Sequence, residues 1–154
     1  MKTNYLLALV AGGLLLAATA SAQEKKIKRS DLPPAVERTV AAQSEGATIR
    51  GFLTEKEKGQ TFYEAEMIVN GHSKDVLIAA DGTVVEVEEQ VTLDSLSPEV
   101  KAGLQAKAGK GKILKVESLT KKGKLAAYEA QVETNGKKSE VQVGPDGKPL
   151  AHEE

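Results

Sequence analysis

The sequence has no cysteine and no tryptophan, and only three tyrosines and two phenylalanines among its 154 residues. Without thiols there is no disulfide, no thiolate nucleophile and no cysteine ligand for a metal. Histidine is nearly absent too. His72 and His152 stand far apart in sequence, and neither has a second histidine at a metal-binding spacing, so a zinc site is not expected. Few aromatics means few stacking platforms for nucleic acid and few of the anchors that tight protein interfaces favour. Any core must be built from valine, isoleucine, leucine and alanine.

The N-terminus differs in kind from the rest. Lys2 precedes an apolar run from Tyr5 to Ala18, and Ala20-Ser21-Ala22 then leads into Gln23. This pattern reads as a cleavable signal peptide spanning residues 1–22, with cleavage after Ala22. A membrane anchor is the alternative, but the run falls short of the roughly 20 apolar residues that cross a bilayer. The chain is therefore expected in the periplasm or outside the cell, with no membrane span after cleavage.

Beyond a short basic linker, residues 23–29, the chain repeats itself. Leu32-Pro33-Pro34-Ala35-Val36 returns as Leu96-Ser97-Pro98-Glu99-Val100, an offset of 64 residues. Tyr63-Glu64-Ala65, Asn70-Gly71 and Asp81-Gly82 return as Tyr128-Glu129-Ala130, Asn135-Gly136 and Asp146-Gly147, an offset of 65. Two copies, 30–93 and 94–154, account for this. Each alone would bury a marginal core, so they are expected to pack together.

The expected unit is a helix followed by about four antiparallel strands. Pro34 and Pro98 suit the first helical position, Ser97 can cap the second helix, and Val36/Val40 and Val100/Leu104 form one apolar stripe each. The helices should end near Ser44 and Ala108. Ile49 to Thr54 and Ile113 to Leu119 are β-prone, and Tyr63 to Val69 and Tyr128 to Glu133 alternate with period two. Asn-Gly predicts a two-residue hairpin turn in each copy, and Asp-Gly a second turn into a last strand, Thr83 to Val87 or Lys148 to His152. The fold class is α+β, a helix on a β-meander, twice over. Whether the copies share one sheet is left open by the pattern.

Charge does not repeat. Residues 30–93 carry 5 basic and 12 acidic side chains, residues 94–154 carry 11 and 9. On the strand face turned away from its helix, the first copy is expected to present Phe62, Ile68, Leu77 and Val84 among its acids, while the second presents Glu129, Gln131, Glu133 and Gln142. An apolar outer face wants a cover. The other copy is one candidate, and an external partner is another, so Phe62, Ile68, Leu77 and Val84 form a candidate binding face.

No arrangement of residues suggests a catalytic centre, a metal site or a cofactor. Glu86, Glu88 and Glu89 with Glu64 and Glu66 are the densest carboxylates, best read as a solvated face without an aspartate-rich calcium loop. Gly109-Lys110-Gly111-Lys112 follows a helix instead of opening one and lacks phosphate-loop spacing. The lysines Lys110, Lys112, Lys115, Lys121, Lys122 and Lys124 form a candidate patch for an anionic partner; nucleic acid is not expected.

The helix start Leu-x-Pro-x-Val, the Tyr-Glu-Ala strand, the Asn-Gly hairpin and the late Asp-Gly turn, each present twice, resemble the PepSY-like, β-lactamase-inhibitor-like family. The resemblance covers nearly all of residues 23–154. It implies an exported α+β domain, often in tandem, associated with binding or inhibiting an exported peptidase or other envelope protein. It supplies no catalytic residue. A non-enzymatic binding module is thus the leading expectation; an accessory envelope protein holding anionic polymers through its basic second copy is the alternative. Partner identity and oligomeric state are not readable.

Overall fold

The computed structural model describes residues 24–57 and 59–152. Residues 1–23, and with them the whole expected signal peptide, lie outside that range. Among the described residues no helix is long and apolar enough to cross a membrane.

Short turns dictate the topology. Asn70 and Gly71 have φ of +51° and +86°, and Asn135 and Gly136 have +54° and +77°. Positive φ at both central positions is the two-residue turn expected there, and its twist matches that of the flanking strands. Strands β1 (Lys25–Ile27), β2 (Thr48–Glu57), β3 (Gln60–Val69), β4 (His72–Ala79), β5 (Val84–Val91), β6 (Lys112–Lys121), β7 (Lys124–Thr134) and β8 (Lys137–Val143) lie in chain order in one antiparallel sheet. Helix α1 (Pro34–Gln43) precedes β2, and α2 (Pro98–Ala108) joins β5 to β6. Both begin on proline, and the Val100 N–H donates to Ser97 Oγ at 3.2 Å to cap α2. The α+β class, the helix bounds and the meander are as expected.

Three features differ from expectation. The basic linker contributes β1, whose Lys25 to Ile27 pair with Thr54 to Phe52. The last strand expected at Lys148 to His152 is absent, apart from a single bridge between Val143 and Pro149. In the first half the equivalent strand β5 is held between two neighbours; among the described residues no strand lies beyond β8, and Pro149 has no N–H to offer a ladder. Finally, the second half does not cover the first. It extends it edge to edge, through the β5–β6 ladder from Glu86↔Lys121 to Val91↔Val116.

Both helices pack on the same face of this sheet, over two separate cores. Leu32, Val36 and Val40 meet Phe52, Ala65, Met67, Val76 and Ile78 under α1. Leu96, Val100 and Leu104 meet Val116, Ala130, Val132 and Val143 under α2. Among the described residues no helix lies over the opposite face.

Candidate functional site

The register places the side chains of that uncovered face in rows across the strands. Glu66, Asp75 and Glu88 stand directly opposite one another on β3, β4 and β5, and Leu119 of β6 follows Glu88 in the same row. The adjoining row runs Leu53, Glu64, Leu77, Glu86, Lys121. On the other side Gln90, Glu117, Glu129 and Gln142 are successive partners from β5 to β8. Like charges directly opposite on a sheet repel, so the face carries an electrostatic cost that the fold does not require. Such costs concentrate at functional sites.

Leucines sharpen the effect. Glu64 sits between Leu53 and Leu77, and Glu88 lies against Leu119, which is only 3% exposed. Loss of water is the first cause of the Glu64 carboxyl being pushed up to about 7, with Asp75 and Glu66 adding like charge. Burial likewise raises Asp75 to about 6, against the opposing pull of Lys115. Glu88 is pushed up to about 8 by burial and then by Glu117, Glu86 and Glu129. Glu129 is raised by burial although Gln142 Nε2 donates to it at 2.7 Å, and Glu55 is raised by burial and by its acidic neighbours.

An open hollow of about 280 Å³ lies on this face, lined by Glu24, Glu55, Glu64, Asp75, Leu77, Glu86 and Glu88. At its margin, oxygen atoms of Asp75, Glu88 and Glu117 all lie within 4.8 Å of one another. These are hard donors, but Glu117 is already paired with Lys115 Nζ at 2.6 Å and accepts from Ser73 Oγ at 3.3 Å.

Of the candidate binding face, Phe62, Ile68 and Leu77 lie on the uncovered side, each half-buried. Val84 does not; Leu77 pairs with Glu86 and Ile78 with Val84, so Val85 is an extra residue on β5, and this bulge turns Val84 toward the core under α1. The same side holds Glu64, Glu66, Glu86 and Glu88, whereas Glu89 is on the helix side with Lys74 at 3.6 Å. Asp75, Glu117 and Glu129 complete the cluster. Period two after the Asn-Gly turn would have found Asp75; Glu117 required knowing that β5 pairs with β6.

The lysines are not gathered. Lys110 and Lys112 lie at one end of β6 and Lys121, Lys122 and Lys124 at the other, about 30 Å apart at strand rise. Lys115 is spent on Glu117, and Lys121 Nζ meets Glu86 at 3.4 Å. His72 and His152 are exposed, one at the start of β4 and the other at the far end of the described chain.

No protein-family model matches the sequence, and comparison with curated proteins finds no significant match. Crystal structures do show the same architecture. A protein from Bacteroides eggerthii described as periplasmic superposes with a TM-score of 0.63 at 20% identity, covering 77% of this chain and 86% of that one. A DUF2874 family protein from Bacteroides ovatus gives 0.61 at 22% identity over 78% and 86%. A BLIP-like protein from Bacteroides fragilis gives 0.57 at 20% identity over 77% and 83%. The chain is similar to these proteins in fold: it has the BLIP-like arrangement of helices on one side of an antiparallel sheet.

Proposed function

We propose that this chain is an exported, non-enzymatic binding module built from two tandem PepSY-like copies, and that it engages a protein through the uncovered face of its sheet. The observation that carries this reading is the face itself. Eight strands present it, neither helix covers it, and carboxylates face one another across it at a cost to folding. A partner offering lysine or arginine side chains would turn that repulsion into attraction. Half-buried Phe62, Ile68 and Leu77 would add apolar contact between the charges. The fold supports the reading, since one neighbour is BLIP-like and another is described as periplasmic. Expected export through a signal peptide agrees with it. The partner is thus an exported protein with a basic surface, a peptidase among the candidates.

The rival reading, an accessory envelope protein that holds anionic polymers on its second half, draws on Lys122 and Lys124, exposed at the β6–β7 turn, and on Lys110 and Lys112 at the other end. It is the weaker reading, because the lysines do not converge. One experiment separates the two. A protein captured from the exported fraction is purified, and its affinity for wild type, for Glu64→Lys with Glu88→Lys, and for Lys122→Glu with Lys124→Glu is measured. Loss of about tenfold or more in the first variant alone supports the sheet face. Loss in the second alone, or binding only to anionic polymer, overturns it.

A further inference from the structure

The two cores share no buried residue, so what joins the halves is chiefly the β5–β6 ladder, six residue pairs long. On the helix side of this seam the contacts are modest: Val87 packs toward the first core, Val91 toward the second. On the uncovered side, the seam is where the carboxylates crowd. Asp75 and Glu88 belong to the first half and Glu117 to the second, with oxygen atoms within 4.8 Å across the junction. Glu129 stands directly behind Glu117.

We propose that the β5–β6 junction is a charge-gated seam: with its carboxylates ionised the two halves repel across the ladder and the junction opens more readily, and uptake of protons closes it. The charged groups that face Glu88 are Glu66 on β3, Asp75 on β4, Glu86 on its own strand, Lys115, Glu117 and Lys121 on β6, and Glu129 on β7. The helices pack on the opposite side and place no charge among them. Of the two cations, Lys121 reaches across the ladder to Glu86 at 3.4 Å, while Lys115 pairs with Glu117 on its own strand and also pulls on Asp75 across the seam. These attractions stand against the carboxylates of Asp75, Glu88 and Glu117, which meet at the middle of the seam. Ser73 Oγ, reaching from β4 to Glu117 at 3.3 Å, is a second tie that survives ionisation. Burial first, and the neighbouring carboxylates after it, raise the protonation range of Glu88 and Asp75, so the crowding at the seam works in the same direction as the loss of water. Because both halves contribute to the uncovered face, the seam also governs its shape.

The test is hydrogen exchange of the full chain, corrected for the intrinsic pH dependence of amide exchange, at pH 5 and pH 8. Amides of the β5–β6 ladder are expected to open about tenfold more often at pH 8, while those of the β2–β3 and β7–β8 ladders change little. Glu88→Gln and Glu117→Gln, which remove charge without removing bulk, should each shrink that difference. The proposal is overturned if seam amides open equally at both pH values, if all ladders loosen together, or if both variants keep the full pH difference.

Discussion

Glu64 shows how one side chain records the cost of the uncovered face. Its neighbours across the sheet on both sides are leucines, Leu53 and Leu77, so it has little water, and Asp75 and Glu66 lie close by. Its carboxyl is raised from 4.5 to about 7, which means that the folded state binds a proton that the unfolded chain releases. The sign follows from linkage. Below about pH 4.5 both states are protonated and the penalty vanishes; between 4.5 and 7 the folded state loses stability as pH rises; above 7 the penalty is complete. Glu64→Gln should therefore raise stability at pH 8 and leave it nearly unchanged at pH 4. Allowing for solvent that still reaches the group, the gain at pH 8 should be about 1 kcal/mol. Urea unfolding at the two pH values measures it, and an equal effect at both would mean that the carboxylate is not desolvated. The reading of these acids as a solvated face, natural from their period-two spacing, missed the leucines opposite them, because only register reveals a cross-strand neighbour.

At the scale of elements, the recurring motifs are the joints of the fold. The Asp-Gly turn is legible as a turn; its second role is not. Gly82 approaches α1 so closely that an added Cβ would lie 2.8 Å from the Ala35 carbonyl oxygen, and the Thr39 hydroxyl donates to the Gly82 carbonyl at 2.6 Å. The β4–β5 turn is thus a docking point for the helix, contributed by residues some 45 positions away in the chain. Gly71 provides the comparison, since its φ is similarly positive, +86° against +90°, but open space surrounds it. Gly71→Ala should cost only the strained backbone, about 1 kcal/mol, whereas Gly82→Ala should cost roughly 2 kcal/mol or more. Thermal or urea unfolding of the two variants gives the difference, and equal losses would remove the helix contact from the account. Helix bounds, hairpins and the apolar stripes were readable because each is local. The missing last strand and the added β1 were not, since whether a short segment pairs depends on what it offers an open edge: Lys25 to Ile27 present a full ladder to β2, whereas at the edge of β8 Pro149 has no N–H to give and only the Val143–Pro149 bridge forms.

For the molecule as a whole, the question that sequence left open, one sheet or two, has an answer with energetic consequences. A continuous sheet joins two cores that remain distinct, with Ile78 fully buried in one and Leu104 fully buried in the other. Side chains that share no packing partner should contribute independently to stability, even within one sheet. Ile78→Val should cost about 0.5–1.5 kcal/mol and Leu104→Ala about 2–5 kcal/mol, the latter through the cavity it leaves under α2. If the cores are independent, the double variant should lose the sum of the two to within about 0.5 kcal/mol. A larger coupling would show that strain in one core reaches the other through the β5–β6 ladder, and that the halves adjust as one body. The pH at which the cycle is run then matters. Ionised carboxylates at the seam weaken the main link between the cores, so any coupling should be smaller at pH 8 than at pH 5, and a coupling that grows with pH would contradict the electrostatic account of the junction.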